Sequence, residues 1–384
     1  MKLFKSLLVA PATLGLLAPM SATANEITIN DFNPVVEETL LAGGEGLIDT
    51  SYDGSFSETT SASFSVDFGI GAVDGLGITT TDKDSGTEAI AATYGFQIDL
   101  TTSFTGEDSL DISIDAGNAG SSTSPLGELD LNNGGSSDEL TVDGVSYTFP
   151  VGDDTTVVVG AQGTDGSVLF TTACTYGGPS NTLDDCGNVQ SNFVGLGTTL
   201  GASYAFSDEF TMAVGYAGDG KTATTGLLTK EGADAWGLNA AYTTDTYGIS
   251  ATYANVEGTY ALKTGQMADT SVALNGYFSP EGFPSISAGY EFTDIGGAGV
   301  NADEKTSFFV GLQFDEVGPG SAGVAVGTQG SITEGSDEAL MYEAYYSYPV
   351  NDGMTVTPLV YAKEATSSTD EDETGVMVKT SFSF

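Results

Sequence analysis

The sequence has no histidine and no arginine, a single tryptophan and only two cysteines in 384 residues. Without histidine there is no usual general base for a nucleophilic triad, and the commonest zinc ligand is missing. No nucleophile is set off by flanking residues either, so catalysis is not expected. Cations are scarce. Lys2 and Lys5 fall in the first 24 residues, which leaves 7 lysines against 53 carboxylates, an excess of 46 negative charges over the rest of the chain. Nucleic acid is therefore excluded as a partner, because binding it depends on neutralising phosphate. After residue 24 no apolar run reaches the roughly 20 residues that a membrane helix needs. If the chain crosses a membrane it must do so as a closed barrel, the other way to satisfy every backbone polar group in lipid.

What is present begins with an export signal. MKLFKSLLVAPATLGLLAPMSATA joins a basic start to an apolar run from Leu7 to Leu17 and a small-residue end, which predicts a signal peptide over 1–24 and a mature chain from Asn25. Residues 25–55 lack strand alternation. Asn33-Pro34 ahead of VVEETLLAGG suggests a short helix ended by Gly43, within a short periplasmic N-terminal segment or a disordered tether.

From Phe56 the chain repeats one device, segments of about 8–12 residues with an apolar or aromatic side chain at every second position, the period of a strand with two different faces. Phe64, Val66, Phe68 and Ile70 open a set of sixteen such series, and Val376, Val378, Phe382 and Phe384 close it. The connections alternate by parity. Short ones, such as Thr105–Asp108, Ser207–Glu209 and Thr243–Thr246, follow long ones such as Gly117–Asp138 and Gly163–Ser191. A sandwich or propeller has no reason to segregate loop length in this way, whereas bacterial barrels do. The fold class predicted is all-β: a 16-stranded antiparallel transmembrane β-barrel over 56–384, with short periplasmic turns and long extracellular loops. Aromatics crowd the short-turn ends, among them Tyr204, Phe206, Phe210, Tyr242, Tyr247, Tyr346 and Tyr348, as an interfacial girdle requires.

Between the apolar positions stand Asp67, Asp99, Asp111, Asp115, Asn239, Asn275, Glu291, Gln313, Glu343 and Lys379, which would face a wet lumen. Its ionisable members are candidate pore-lining residues, and all but Lys379 are acids. Rings of carboxylates favour cations. The bland alternative is a solvated surface suited to salty water, where counter-ions screen self-repulsion. Cys174 and Cys186 lie in one loop of an exported chain, so a disulfide is the natural inference. It either braces an exposed loop or restrains one that folds into the barrel, which would bring Asp165, Asp184 and Asp185 to a constriction.

Other motifs carry less. Gly215 to Thr222 fits a phosphate-binding pattern but follows an amphipathic strand and precedes no helical period, so it reads as an outer loop tip. Asp82–Gly86 and Thr369–Thr374 lack the distal bidentate Glu of a calcium loop. Neither a metal nor a cofactor is expected.

Four segments carry a resemblance: the signal peptide, LDISIDAGN (110–118), VDGVSYTFPVGDDTTVVVGAQ (142–162) and the loop ACTYGGPSNTLDDCGN (173–188). In these the sequence resembles the porins of marine unicellular cyanobacteria, which are related to the carbohydrate-selective, OprB-like porins. The resemblance implies an outer-membrane channel for passive diffusion of small hydrophilic solutes and ions, surrounded by lipid and assembled as a homotrimer. It also implies that the terminal aromatics Phe382 and Phe384 signal to the barrel insertion machinery. Such porins commonly carry an S-layer-homology domain before the barrel. Only residues 25–55 occupy that place here, so neither wall anchoring nor carbohydrate selectivity is carried over. The alternative function is a barrel surface protein for adhesion or phage attachment, without a useful pore.

Overall fold

The computed structural model describes residues 60–76, 89–118, 126–131, 138–161, 163–193, 197–220, 226–229, 232–257, 268–296, 304–367 and 370–384. The export signal, the segment 25–55, Asp82–Gly86, and parts of the Gly215–Thr222 and Thr369–Thr374 motifs lie outside them.

Each of the sixteen alternating series is a strand. In chain order they are β1 (Thr60–Asp74), β2 (Ala91–Thr102), β3 (Ser109–Gly117), β4 (Thr141–Pro150), β5 (Thr155–Ala161), β6 (Thr198–Ala205), β7 (Phe210–Gly218) and β8 (Asp234–Thr243). There follow β9 (Tyr247–Val256), β10 (Asp269–Phe278), β11 (Ser285–Asp294), β12 (Glu304–Val317) and β13 (Gly320–Thr328). The last are β15 (Leu340–Asn351), β16 (Met354–Lys363) and β17 (Glu373–Ser383). A two-residue strand, β14 (Ile332–Thr333), pairs with Lys305 and Thr306 at one end of β12 and stands apart from the sixteen.

Every neighbour is antiparallel, and β1 pairs with both β2 and β17, so the sheet closes on itself and leaves no edge. The final residue completes the seam. Phe384 and Phe64 exchange both backbone hydrogen bonds at 3.0 Å, and their rings stack at 5.7 Å.

Register follows from the two-residue period, since a slip of one residue would turn every apolar side chain inward. Outward-facing Ile70, Leu238, Ile249, Leu274 and Tyr290 are each about half exposed, and with their neighbours they form an apolar belt of the kind that lipid, not water, accommodates. At the short-turn end the aromatics touch, with Tyr204 against Phe206 at 4.7 Å and Phe206 against Phe210 at 5.3 Å. The turns use local side chains. Asp108 accepts from the backbone N–H groups of Phe104 (3.0 Å) and Thr105 (2.7 Å), while Gly106 takes the left-handed conformation at φ +91° that the tight turn needs. Among the described strands the register shifts at three places, between Phe314 and Val317 on β12, between Pro349 and Asn351 on β15, and between Ser113 and Ile114 on β3, where Asp143 is the extra residue on β4.

Candidate functional site: the lumen and its inward loops

The third long loop, residues 163–193, folds into the barrel and runs around its inner wall. Thr171 N–H donates to Asn239 on β8 (2.9 Å), Ala173 N–H to Ser250 on β9 (2.9 Å) and Thr175 N–H to Ser287 on β11 (2.9 Å). On the return leg Asn275 of β10 donates to the carbonyl of Cys186 (2.9 Å), and Ser307 of β12 to that of Gly187 (2.8 Å). Glu291 of β11 receives the N–H groups of Gln190 and Ser191, both at 2.8 Å, and Tyr176 hydroxyl donates to Glu343 of β15. The wall is glycine where the loop comes nearest. A Cβ at Gly215 would collide with the carbonyl of Gly166, and one at Gly289 with that of Cys186. Cys174 and Cys186 are joined, so the outgoing and returning legs are tied together.

Several residues expected to face open water therefore do something else. Asn239, Asn275, Glu291 and Glu343 are almost wholly buried and hold the loop, because a loop packed against a wall must find partners for its backbone groups there. Gln313 is also covered, its side-chain oxygen accepting from Tyr345 hydroxyl at 2.6 Å. Of the two courses open to this loop the inward one is observed, and Gly178 lies against Glu343 within the lumen.

Part of the second long loop also turns inward. Leu126, Leu129 and Leu131 are 1%, 2% and 7% exposed and pack in one apolar cluster with Val73, Met341, Leu359, Tyr361 and Met377 of the wall and Tyr176 and Leu183 of the third loop. This cluster was missed by reading only the polar positions between the series. The signal was available: Phe309, Met341, Leu359, Tyr361 and Met377 occupy the face that should be wet, and apolar residues there require a cover.

The remaining candidates divide. Asp99 accepts from Gln97 (3.0 Å) and Ser113 (2.6 Å), Asp111 from Thr101 (2.9 Å) and Ser109 (2.7 Å), and Asp115 from Thr141 (2.6 Å). These three acids sit on adjacent β2 and β3. Asp67 pairs with Lys379 at 3.3 Å. Each of the three lysines among the described residues is matched with a carboxylate, Lys305 with Asp269, Lys363 with Glu128 and Lys379 with Asp67. Asp184 and Asp185 are exposed on the loop, and Asp165, partly exposed, lies at its start. Asp185 accepts from Asn192 at 2.9 Å. Desolvation within the lumen pushes Asp184 up to about 7, with the charges of Asp185 and Asp130 adding to it. Its side chain is accessible, but the surrounding protein displaces much of the solvent that would stabilise the charge. Phe382 meets Phe68 edge-on at 6.0 Å beside the Phe64–Phe384 seam.

The sequence matches no family model, and it matches no curated protein. Solved structures do share the fold. Pseudomonas putida OprB at high pH superposes with a TM-score of 0.58 at 12% identity, over 85% of this chain and 94% of that one. OmpT of Vibrio cholerae lacking loop L8 gives 0.55 at 9% identity, and the E1M, A116K mutant of Rh. blastica porin 0.54 at 14%, each over 85% of this chain and 100% of its own. With sixteen antiparallel strands closed into a barrel and a long loop folded within, the chain has the fold of the outer-membrane porins.

Proposed function

We propose that the protein is a passive, water-filled channel of the bacterial outer membrane that admits small hydrophilic solutes and prefers cations, a porin of the OprB-like kind met in marine cyanobacteria. One observation carries the preference. The inner wall of β2 and β3 bears the partly exposed Asp99 and Asp111, the inward loop bears Asp184 and Asp185, and every described lysine is matched with a carboxylate. A narrow lumen lined by one sign of charge concentrates counter-ions.

In this reading residues 1–24 are removed on export, 25–55 stay periplasmic, the long loops face outward, and lipid surrounds the belt of a homotrimer. The terminal Phe382 and Phe384 are read by the insertion machinery. The filling of part of the lumen by apolar side chains favours a second reading, a surface protein without a useful pore. Single-channel recording of the reconstituted protein in dilute potassium chloride separates the two. A measurable conductance with a cation-directed reversal potential is expected. Screening weakens the preference at marine ionic strength, where the Debye length is about 4 Å. An anion-directed potential in dilute salt would refute the electrostatic argument, and absence of conductance would favour the second reading.

A further inference from the structure

We propose that the Cys174–Cys186 disulfide is a site of reversible modification, at which small cationic thiols entering the lumen join to Cys174; this rests on the acid-lined lumen of the channel reading. The two cysteines are unequally placed. Cys186 is 2% exposed and lies against the wall over Gly289, its carbonyl accepting from Asn275 (2.9 Å). Cys174 is partly exposed. The N–H groups of its neighbours Ala173 and Thr175 point at the wall, to Ser250 and Ser287, whereas its own donates along the loop to the Thr172 carbonyl (2.9 Å). A thiolate opens a disulfide by attacking one sulfur and expelling the other, and access decides which is attacked. Here Cys174 is the accessible partner and Cys186 the leaving one.

The bond is not all that holds the loop. The outgoing leg has wall bonds through Thr171, Ala173 and Thr175, and the returning leg has them through Cys186, Gly187, Gln190 and Ser191. Opening the tie therefore leaves both legs docked and the two sulfurs neighbours. The step is an exchange without net oxidation. The incoming thiol loses its proton, its sulfur bonds to Sγ of Cys174, the Sγ–Sγ bond breaks, and Cys186 leaves as a thiolate that takes up a proton. Reversal needs no other reagent, because Cys186, held beside Cys174 at high effective concentration, attacks the mixed disulfide and expels the thiol. The adduct persists only while the thiol is in excess. Charge selects the thiol. Asp184 and Asp185, exposed and immediately before Cys186 in the chain, gather cationic thiols near the bond and repel anionic ones. A cationic adduct sets a positive charge near these carboxylates and weakens cation preference, so the bond couples the selectivity of the lumen to the thiols that reach it.

The test uses the full chain, folded and reconstituted, with gel mobility to establish that the barrel stays intact. Cysteamine, a cation, and 2-mercaptoethanesulfonate, an anion, are compared, each rate divided by that of the same thiol with a free disulfide peptide. Peptide mass spectrometry after alkylation should place the adduct on Cys174 and a free thiol on Cys186, and removal of excess cysteamine should restore the disulfide. In dilute salt the cationic thiol should react about tenfold faster. That advantage should shrink at about 1 M salt, where the Debye length is about 3 Å, and in Asp184→Asn with Asp185→Asn. The cysteamine adduct should also move the reversal potential away from the cation limit. An adduct on Cys186, equal normalised rates in dilute salt, or reaction only after the barrel is unfolded by heat would refute the site, while a conducting wild type would leave the channel standing. A silent wild type in which cysteamine keeps its advantage at Cys174 would uphold the site and defeat the channel reading.

Discussion

Glu291 gives the sharpest test of how the lumen is built, because its two possible roles predict opposite outcomes. It is 1% exposed, and its two oxygens receive the N–H groups of Gln190 and Ser191 at 2.8 Å. Glu291→Gln is nearly isosteric but places an amide NH₂ opposite one of those donors. A buried donor left unmet costs about 1–3 kcal/mol, which multiplies the local opening equilibrium of the loop's returning leg by roughly 5 to 150. The loop has other anchors, at Asn239, Ser250, Ser287, Asn275, Ser307 and Glu343, so this leg should loosen without release of the whole. Hydrogen exchange followed by mass spectrometry should find the amides of Gln190 and Ser191 exchanging faster by that factor. The reversal potential should not move, because the carboxylate lies under the loop. Unchanged protection together with a loss of cation preference would refute this reasoning and return Glu291 to the pore wall.

Three further outcomes are expected. The raised pKa of Asp184 means that the docked loop holds its proton more readily than a free carboxyl; docking is therefore best supported below the ordinary carboxylate value and loses that support as pH rises through about 7. Cation preference should fall as pH drops through 7, and a flat profile from Asp184→Asn would identify the group, whereas a wild-type slope in that variant would rule it out. Reducing the Cys174–Cys186 bond, which closes a sequence separation of 12, removes about 3 kcal/mol of chain constraint and should raise open-channel noise in single-channel traces; identical traces with reductant would argue against it. Deleting Phe384 removes both backbone bonds to Phe64 and the ring stack, so less heat-modifiable barrel should accumulate in the outer membrane, with pore properties unchanged in what does assemble.

The barrel was legible in the sequence because a strand's side-chain period is two and lipid demands one continuous apolar face. Series such as Phe64–Ile70 and Tyr247–Tyr253 show that period without any tertiary information, and the parity of the connections orders them into hairpins. The cysteine pair was legible for a similar reason, since one exported loop holds both. Which inward residues meet water was not. Alternation assigns a side chain to a face, but it is silent on what lies opposite that face. Asn275 and Glu291 therefore read the same as Asp99 in sequence, although the first two fasten a loop and the third stands on the uncovered side. Only the closed barrel brings the second and third loops against walls tens to hundreds of residues away, as Tyr176 to Glu343 and Glu128 to Lys363 illustrate. Local pattern determines the wall, and long-range packing inside it decides where a solute can pass, because that path is whatever space the loops, once their backbone groups are satisfied, leave unfilled.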